Sequence, residues 1–244
     1  MGMPRRPRTA TGGYIYHVLN RAVNRATVFH KDGDYVAFER VLRQAKHKMP
    51  MRLLAYCLMP NHFHLVLWPH QDGELSDFLH WLTLTHTMRW HAHYHSSGTG
   101  PLYQGRFKSF PVQEDEHLVT VCRYVERNPL RAQLVIRAEQ WPWSSLARRV
   151  YRRGLDLLDA WPVPVPEDWQ AHVNGAETAG ELGALRQSLR RGAPFGTRDW
   201  QEQTGRRLGL ESTLKPLGRP RKRKPAAPSS ASLFDMSGHY SDPP

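Results

Sequence analysis

Two apolar runs joined by a two-residue turn constrain this chain more tightly than any other feature. Arg52–Met59 (RLLAYCLM) and His62–Trp68 (HFHLVLW) read as strands, and Pro60-Asn61 between them is turn chemistry, so the segment is expected to fold as a β-hairpin. Residues 14–20 (YIYHVLN), rich in aromatic and branched side chains, read as an earlier strand. Residues 34–48 place Tyr35, Phe38, Val41, Leu42 and Ala45 at helical spacing until Pro50 stops them. Residues 74–95 form a long helical stretch with Phe78, Leu82 and Met88 among its apolar positions, and Lys108–Val112 reads as a fourth strand. Residues 114–127 then read as a helix with Leu118, Val121, Cys122 and Val125 as its apolar stripe. Pro129 marks its end, because proline disfavours helical geometry in the residue before it.

Strand, helix, strand, strand, helix, strand and one further helix is the order of an α+β, ferredoxin-like (split βαβ) antiparallel sheet with helices. Residues 1–150 carry this pattern and are expected to form one domain. Residues 151–180, with WPVPVP, resemble a Pro-rich linker, and residues 181–216 hold two short helices, 181–190 and Arg198–Leu208, as a small C-terminal helical region. Residues 217–244 open on a basic cluster, LGRPRKRK, and continue in low-complexity sequence expected to be disordered.

Charge narrows the class of partner. Lys and Arg total 34 against 22 Asp and Glu, a formal net charge of +12, which favours a polyanion such as nucleic acid, although a solvated basic surface gives the same count. Cys57 and Cys122 each sit in an apolar stretch without a CxxC partner, which argues against a disulfide scaffold or zinc cluster and fits core residues of a reduced, cytoplasmic protein. No run of about 18 apolar residues is present to span a membrane, and the basic residues 1–11 lack the apolar segment of a secretory signal.

The candidate chemistry starts at His62-Phe63-His64. Side chains two apart on a strand share a face, so both imidazoles can reach one metal ion while Phe63, Leu65 and Leu67 pack on the other side. The same spacing also fits two histidines on an ordinary polar strand face. Tyr124 and Asn128 are four apart on the late helix and share a face of it. If that helix lies beside the third strand, Asn128 can offer an amide oxygen to the metal and Tyr124 its phenol to a bound phosphate. A half-buried helix tyrosine and a helix-terminating asparagine are the structural alternatives. The combination makes chemical sense because a divalent cation polarises a phosphodiester and a phenolate exchanges one phosphoester for another.

Five segments then resemble REP-associated tyrosine transposases and related single-tyrosine HUH transposases. They are Tyr16-His17-Val18 with Asn20-Arg21 and Asn24-Arg25; Met59-Pro60-Asn61-His62-Phe63-His64-Leu65; Gln104-Gly105-Arg106-Phe107-Lys108-Ser109; Arg123-Tyr124-Val125-Glu126-Arg127-Asn128-Pro129-Leu130-Arg131-Ala132; and Trp141-Pro142-Trp143-Ser144-Ser145. They occur in the family's order over roughly residues 12–150. The resemblance implies an HUH nuclease fold, a Mg or Mn ion held by His62 and His64, and Tyr124 as the nucleophile that cuts single-stranded DNA next to a hairpin and keeps a 5′-phosphotyrosine link. The third ligand is Asn128, where some relatives carry glutamine, or His17 if the first strand lies beside the third.

Around this centre Arg21, Arg25, Arg106, Lys108, Arg123, Arg127 and Arg131 are candidate DNA contacts, with Tyr103, Phe107 and Phe110 available to stack unpaired bases or to fill the core; core packing is preferred for Phe110. Gly218-Arg219-Pro220-Arg221 is similar to an AT-hook, and an unspecific basic tail fits as well. The expected partners are single-stranded DNA and repetitive extragenic palindrome-like hairpins, with a homodimer possible because some relatives exchange tyrosine helices, and the expected location is the cytoplasm, at the nucleoid. The alternative is a noncatalytic DNA-binding regulator that keeps the fold.

Overall fold

The computed structural model describes residues 10–215. Seven elements follow the expected order: β1 (Ile15–Arg21), α1 (Asp32–Lys48), β2 (Arg52–Met59), β3 (His62–Trp68), α2 (Glu74–His93), β4 (Lys108–Val112) and α3 (Glu116–Glu126). The strands lie in the order β2-β3-β1-β4 and every neighbouring pair is antiparallel. β3 therefore sits between β1 and β2, and β1 between β3 and β4, which is the split βαβ arrangement.

Because strand side chains alternate, the register sorts the sheet into two faces. Tyr16, Val18, Leu58, Phe63, Leu65 and Leu67 meet Phe38 and Leu42 of α1 and Phe78 and Leu82 of α2 in one core. Ile15, Cys57, Met59, Val66, Phe110 and Val112 meet Leu118, Val121, Cys122 and Val125 of α3 in the other. A register shift between Leu53 and Ala55 lets β2 present both Leu54 and Ala55 to this second core. Cys57 and Cys122 are free and buried there.

Among the described residues six further α-helices follow: α4 (Asn128–Arg131), α5 (Ser145–Val150), α6 (Trp169–Asn174), α7 (Ala179–Arg191), α8 (Arg198–Leu208) and α9 (Glu211–Leu214). The stretch expected as a linker, 151–180, is instead packed. Leu157 is buried in the first core, Trp169 and Val173 in the second, and the Trp161 indole donates to the Leu54 carbonyl at 2.8 Å. Its prolines suit extended chain, but its tryptophans carry too much apolar surface to be left in water. The boundary expected near residue 150 thus falls inside continuous cores. Phe195 also pairs with the exposed edge of β4, donating to the Pro111 carbonyl and accepting from the Gln113 amide, both at 2.9 Å, which blunts that edge against other strands. Among the described residues no helix is long and apolar enough to cross a membrane. The AT-hook-like segment with Arg219 and Arg221 lies outside the described residues.

Burial leaves several histidines neutral. It lowers the pKa of His17 and His62 to about 3 and that of His86 to about 4, and holds His64 well below the ordinary range. The unfolded chain takes up these protons near pH 6.5, about the usual value, and the folded chain only at much lower pH. Stability is therefore fully present above about pH 6.5 and is lost as the pH falls towards these folded-state values. In cation-free buffer the thermal midpoint is expected to decline from pH 7 to pH 4, by about 2–4 °C for each kcal/mol lost. A flat profile in a melting series would show that these imidazoles are not held neutral.

Candidate active site

The histidine cluster is a product of register. Arg21 lies opposite His62, Leu19 opposite His64 and His17 opposite Val66, so His17 and His64 are diagonal neighbours on the α3 side of the sheet. His17 Nε2 and His64 Nδ1 are 2.9 Å apart, and the His62 and His64 ring centroids are 5.0 Å apart. His62 is fixed from behind: its Nδ1 donates to Asn61 Oδ1 at 2.6 Å, and Asn61 Nδ2 donates to the Arg25 carbonyl at 3.0 Å. A carboxamide oxygen only accepts, so neutral His62 carries its proton on Nδ1 and presents a bare lone pair at Nε2. Two neutral imidazoles on one strand face, His64 buried and His62 half-buried with its free nitrogen defined, are a donor set that fits a divalent cation.

Tyr124 reaches this face because the α3 stripe packs beneath it. Asp115 caps the helix by accepting from the His117 amide at 2.8 Å, and fully buried Glu126 anchors the far end, accepting from Ser145 Oγ and from Trp169 Nε1. Tyr124 is only 8% exposed, and its ring lies edge-on at 5.9 Å from His64 and 6.3 Å from His17. One chain therefore brings the tyrosine and all three histidines together. Burial raises the Tyr124 phenol above its usual pKa, while the Arg131 and Arg186 charges pull it back down. The Arg131 guanidinium sits 4.1 Å from the centre of the tyrosine ring.

Asn128 has a definite local task. Pro129 has no N–H to give to the end of α3, and Asn128 Nδ2 supplies the missing donor to the carbonyls of Tyr124 (3.1 Å) and Val125 (3.4 Å). Its amide nitrogen is thereby committed, and only Oδ1 is left to face a cation.

The basic residues divide into two sets. Arg21, Arg106 and Lys108 line a cavity of about 600 Å³ with Leu19, Asn20, Gln104 and Gly105, next to the histidine face. Arg21 Nε is buried there without a partner, and Arg25 is exposed on the turn after β1. Arg123, Arg127 and Arg131, one helical turn apart, point instead at the C-terminal end of α6 and the segment after it. Arg123 Nη2 donates to the carbonyls of Gly175 and Ala176, and Arg127 Nη1 to those of Val173 and Asn174. Arg131 Nη1 meets both oxygens of Glu177 at 2.8 Å, while its Nη2 donates to the Tyr124 carbonyl at 3.1 Å. Residues 173–177 are in effect a strap across the tyrosine helix. Sequence reading missed it, although three arginines at a spacing of four were the visible signal.

The aromatic candidates also separate. Tyr103 is buried and its hydroxyl bonds His86 Nδ1 at 2.7 Å, so it is a core residue rather than a platform for bases. Phe110 is buried against His17, and Phe107 is partly buried at the rim of a second cavity shared with Asn20 and Arg106. Asp115, Glu116 and His117 form another group spaced to hold a divalent cation, but they lie at the N-terminal end of α3, two turns from Tyr124.

Residues 10–128, which span β1 to α3 and contain the histidines and the tyrosine, match the family described as Transposase IS200 like. The match covers residues 10–128 of the 244-residue chain, the part that carries the whole of the candidate site. A Haemophilus influenzae protein provisionally named a REP-associated tyrosine transposase is 25% identical over 148 residues, covering 56% of this chain and 77% of the relative. A solved REP-associated tyrosine transposase bound to a REP hairpin shares the fold, with a TM-score of 0.53 at 20% identity over 73% of this chain and 93% of that one. A solved Deinococcus radiodurans protein, provisionally named a transposase, overlaps with a TM-score of 0.35 at 18% identity, over 55% of this chain and 92% of that one.

The strap yields a stability prediction. The Glu177 side chain is 5% exposed and faces both Arg127 and Arg131. Glu177→Ala leaves two half-buried guanidiniums without their counter-charge and is expected to cost about 1–3 kcal/mol. Denaturant unfolding measures this, and an unchanged midpoint would show that the strap carries no load.

Proposed function

We propose that this chain is a transposase-family enzyme that cuts and rejoins single-stranded DNA beside hairpins, with Tyr124 as the nucleophile and a Mg or Mn ion held by His62 and His64. The observation that carries the reading is the placement of the Tyr124 ring 5.9 Å from that of His64 on a face of neutral imidazoles. The hairpin-bound relative with the same fold supports a hairpin as the substrate.

The residues divide the work as follows. Tyr124 loses its phenolic proton, and Oη forms a bond to the scissile phosphorus as the bond to the 3′-oxygen breaks; that oxygen leaves and takes up a proton. The 5′ end stays on the protein as a phosphotyrosine, and attack by another 3′-hydroxyl reverses the same exchange, so the phosphoester energy is conserved. When bound, the cation polarises the phosphate and orients its oxygens. Asn128 Oδ1 is the third protein donor in this scheme. Arg131, stacked on the tyrosine ring, stabilises the phenolate that burial disfavours. Arg21, Arg106 and Lys108 hold phosphates along the 600 Å³ cavity, and Arg25 contacts the strand at its rim. Arg123 and Arg127 serve DNA indirectly, by holding the tyrosine helix against the strap.

End-labelled hairpins from the DNA flanking the gene, incubated with protein and Mn and run on a denaturing gel, test this directly. Wild type is expected to give a slow covalent band, with Tyr124→Phe giving none and His64→Ala losing it by at least about 100-fold. Hairpin binding with neither adduct nor cut strand would mean a regulator that has kept the fold.

A further inference from the structure

His17 is the residue in this centre whose arrangement calls for a different role from the one its position first suggests. It is fully buried, on β1 rather than on the histidine strand, and it touches His64, Tyr124 and Phe110. A metal ligand must present a bare ring nitrogen. His17 Nε2 is engaged with His64 Nδ1 at 2.9 Å, and its Nδ1 is buried with no partner, the ring lying 4.9 Å from that of Phe110. Nε2, the nitrogen turned towards the histidine strand, is therefore not placed as a third ligand.

We propose that His17 is a positioning residue that sets the tautomer of His64, accepting at Nε2 the proton that His64 carries on Nδ1 so that His64 Nε2 is left bare for the cation. The inference rests on the reading of His62 and His64 as ligands.

Two ring nitrogens 2.9 Å apart are joined by one proton, which can belong to either ring. If it belongs to His17, His64 must carry its own proton on Nε2, and that nitrogen cannot bind a cation. If it belongs to His64, Nε2 is free. Asn61 enforces the equivalent choice on His62 by accepting from its Nδ1. His17 and Asn61 thus do the same task for the two halves of the motif, one from the neighbouring strand and one from the hairpin turn. In the cation-binding arrangement His17 Nδ1 carries a proton, for which the described residues offer no acceptor. Ligand-orienting partners of this kind typically govern metal affinity by about 10–100-fold.

The test compares the full chain with His17→Leu and His17→Gln, using electron paramagnetic resonance to count free Mn(II) during titration. Leucine removes the acceptor, whereas the glutamine amide oxygen can replace it from the same side. His17→Leu is expected to weaken Mn(II) binding by about 10–100-fold and His17→Gln to stay within about threefold of wild type. In parallel, ¹⁵N imidazole spectra of the Zn(II)-loaded wild-type chain should show His17 protonated at Nδ1 and bare at Nε2. Equal Mn(II) affinity for wild type and a folded His17→Leu would overturn the proposal while leaving His62 and His64 as ligands. A His17 ring protonated at Nε2 in the loaded protein would overturn it even if His17→Leu did not fold. Failure of the wild-type chain to bind Mn(II) at all would overturn this inference and the ligand reading together.

Discussion

The site depends on one packing interaction, the burial of the α3 stripe against the second face of the sheet. Leu118, Val121, Cys122 and Val125 meet Cys57, Val66 and Phe110 in a single core, and each fully buried side chain of this size contributes about 1.5–3 kcal/mol. That contact fixes the distance and rotation of the helix, and Tyr124 inherits both. Without it the phenol would have no defined relation to the histidines, however well the hairpin formed. The polar ties at the helix end refine the same placement: Glu126 anchors it to Ser145 and Trp169, and Asn128 closes the carbonyls that Pro129 leaves open.

Burial also sets the electrostatics. A chain with a formal net charge of +12 keeps its innermost imidazoles uncharged and spends part of its arginine inwardly. Arg123, Arg127 and Arg131 satisfy carbonyls and Glu177 along the strap, whereas Arg21, Arg106 and Lys108 gather around an open cavity beside the histidines. The positive potential is thus organised into a structural group and a group free to meet a polyanion. Arg131 belongs to the structural group and also lies on the tyrosine ring.

The hairpin was legible to the residue, and Arg52–Met59, His62–Trp68, Lys108–Val112 and Arg198–Leu208 fall where the patterns put them. Local signals suffice there, because alternation and turn chemistry act within a few residues. The shared face of His62 and His64 followed from strand geometry alone. What stayed hidden depends on pairing between distant segments. The diagonal contact of His17 with His64 exists only because β1 lies beside β3 in one register, and Tyr103 is a core residue only because His86 comes to meet its hydroxyl. The segment 151–180 looked like a linker because prolines dominate its local signal, while the surfaces that bury Trp161 and Trp169 lie about 100 and 40 residues earlier in the chain, at Leu54 and Glu126.

The central claim is that a single chain places the tyrosine over its own histidines. Mixing His64→Ala with Tyr124→Phe, each inactive alone, tests it, because subunits that exchange their tyrosine helices would rebuild one intact site in the mixture. The account predicts no covalent DNA adduct from the mixture at any ratio. Recovery of adduct to a substantial fraction of wild type would contradict it and would mean that the tyrosine acts in a partner's site.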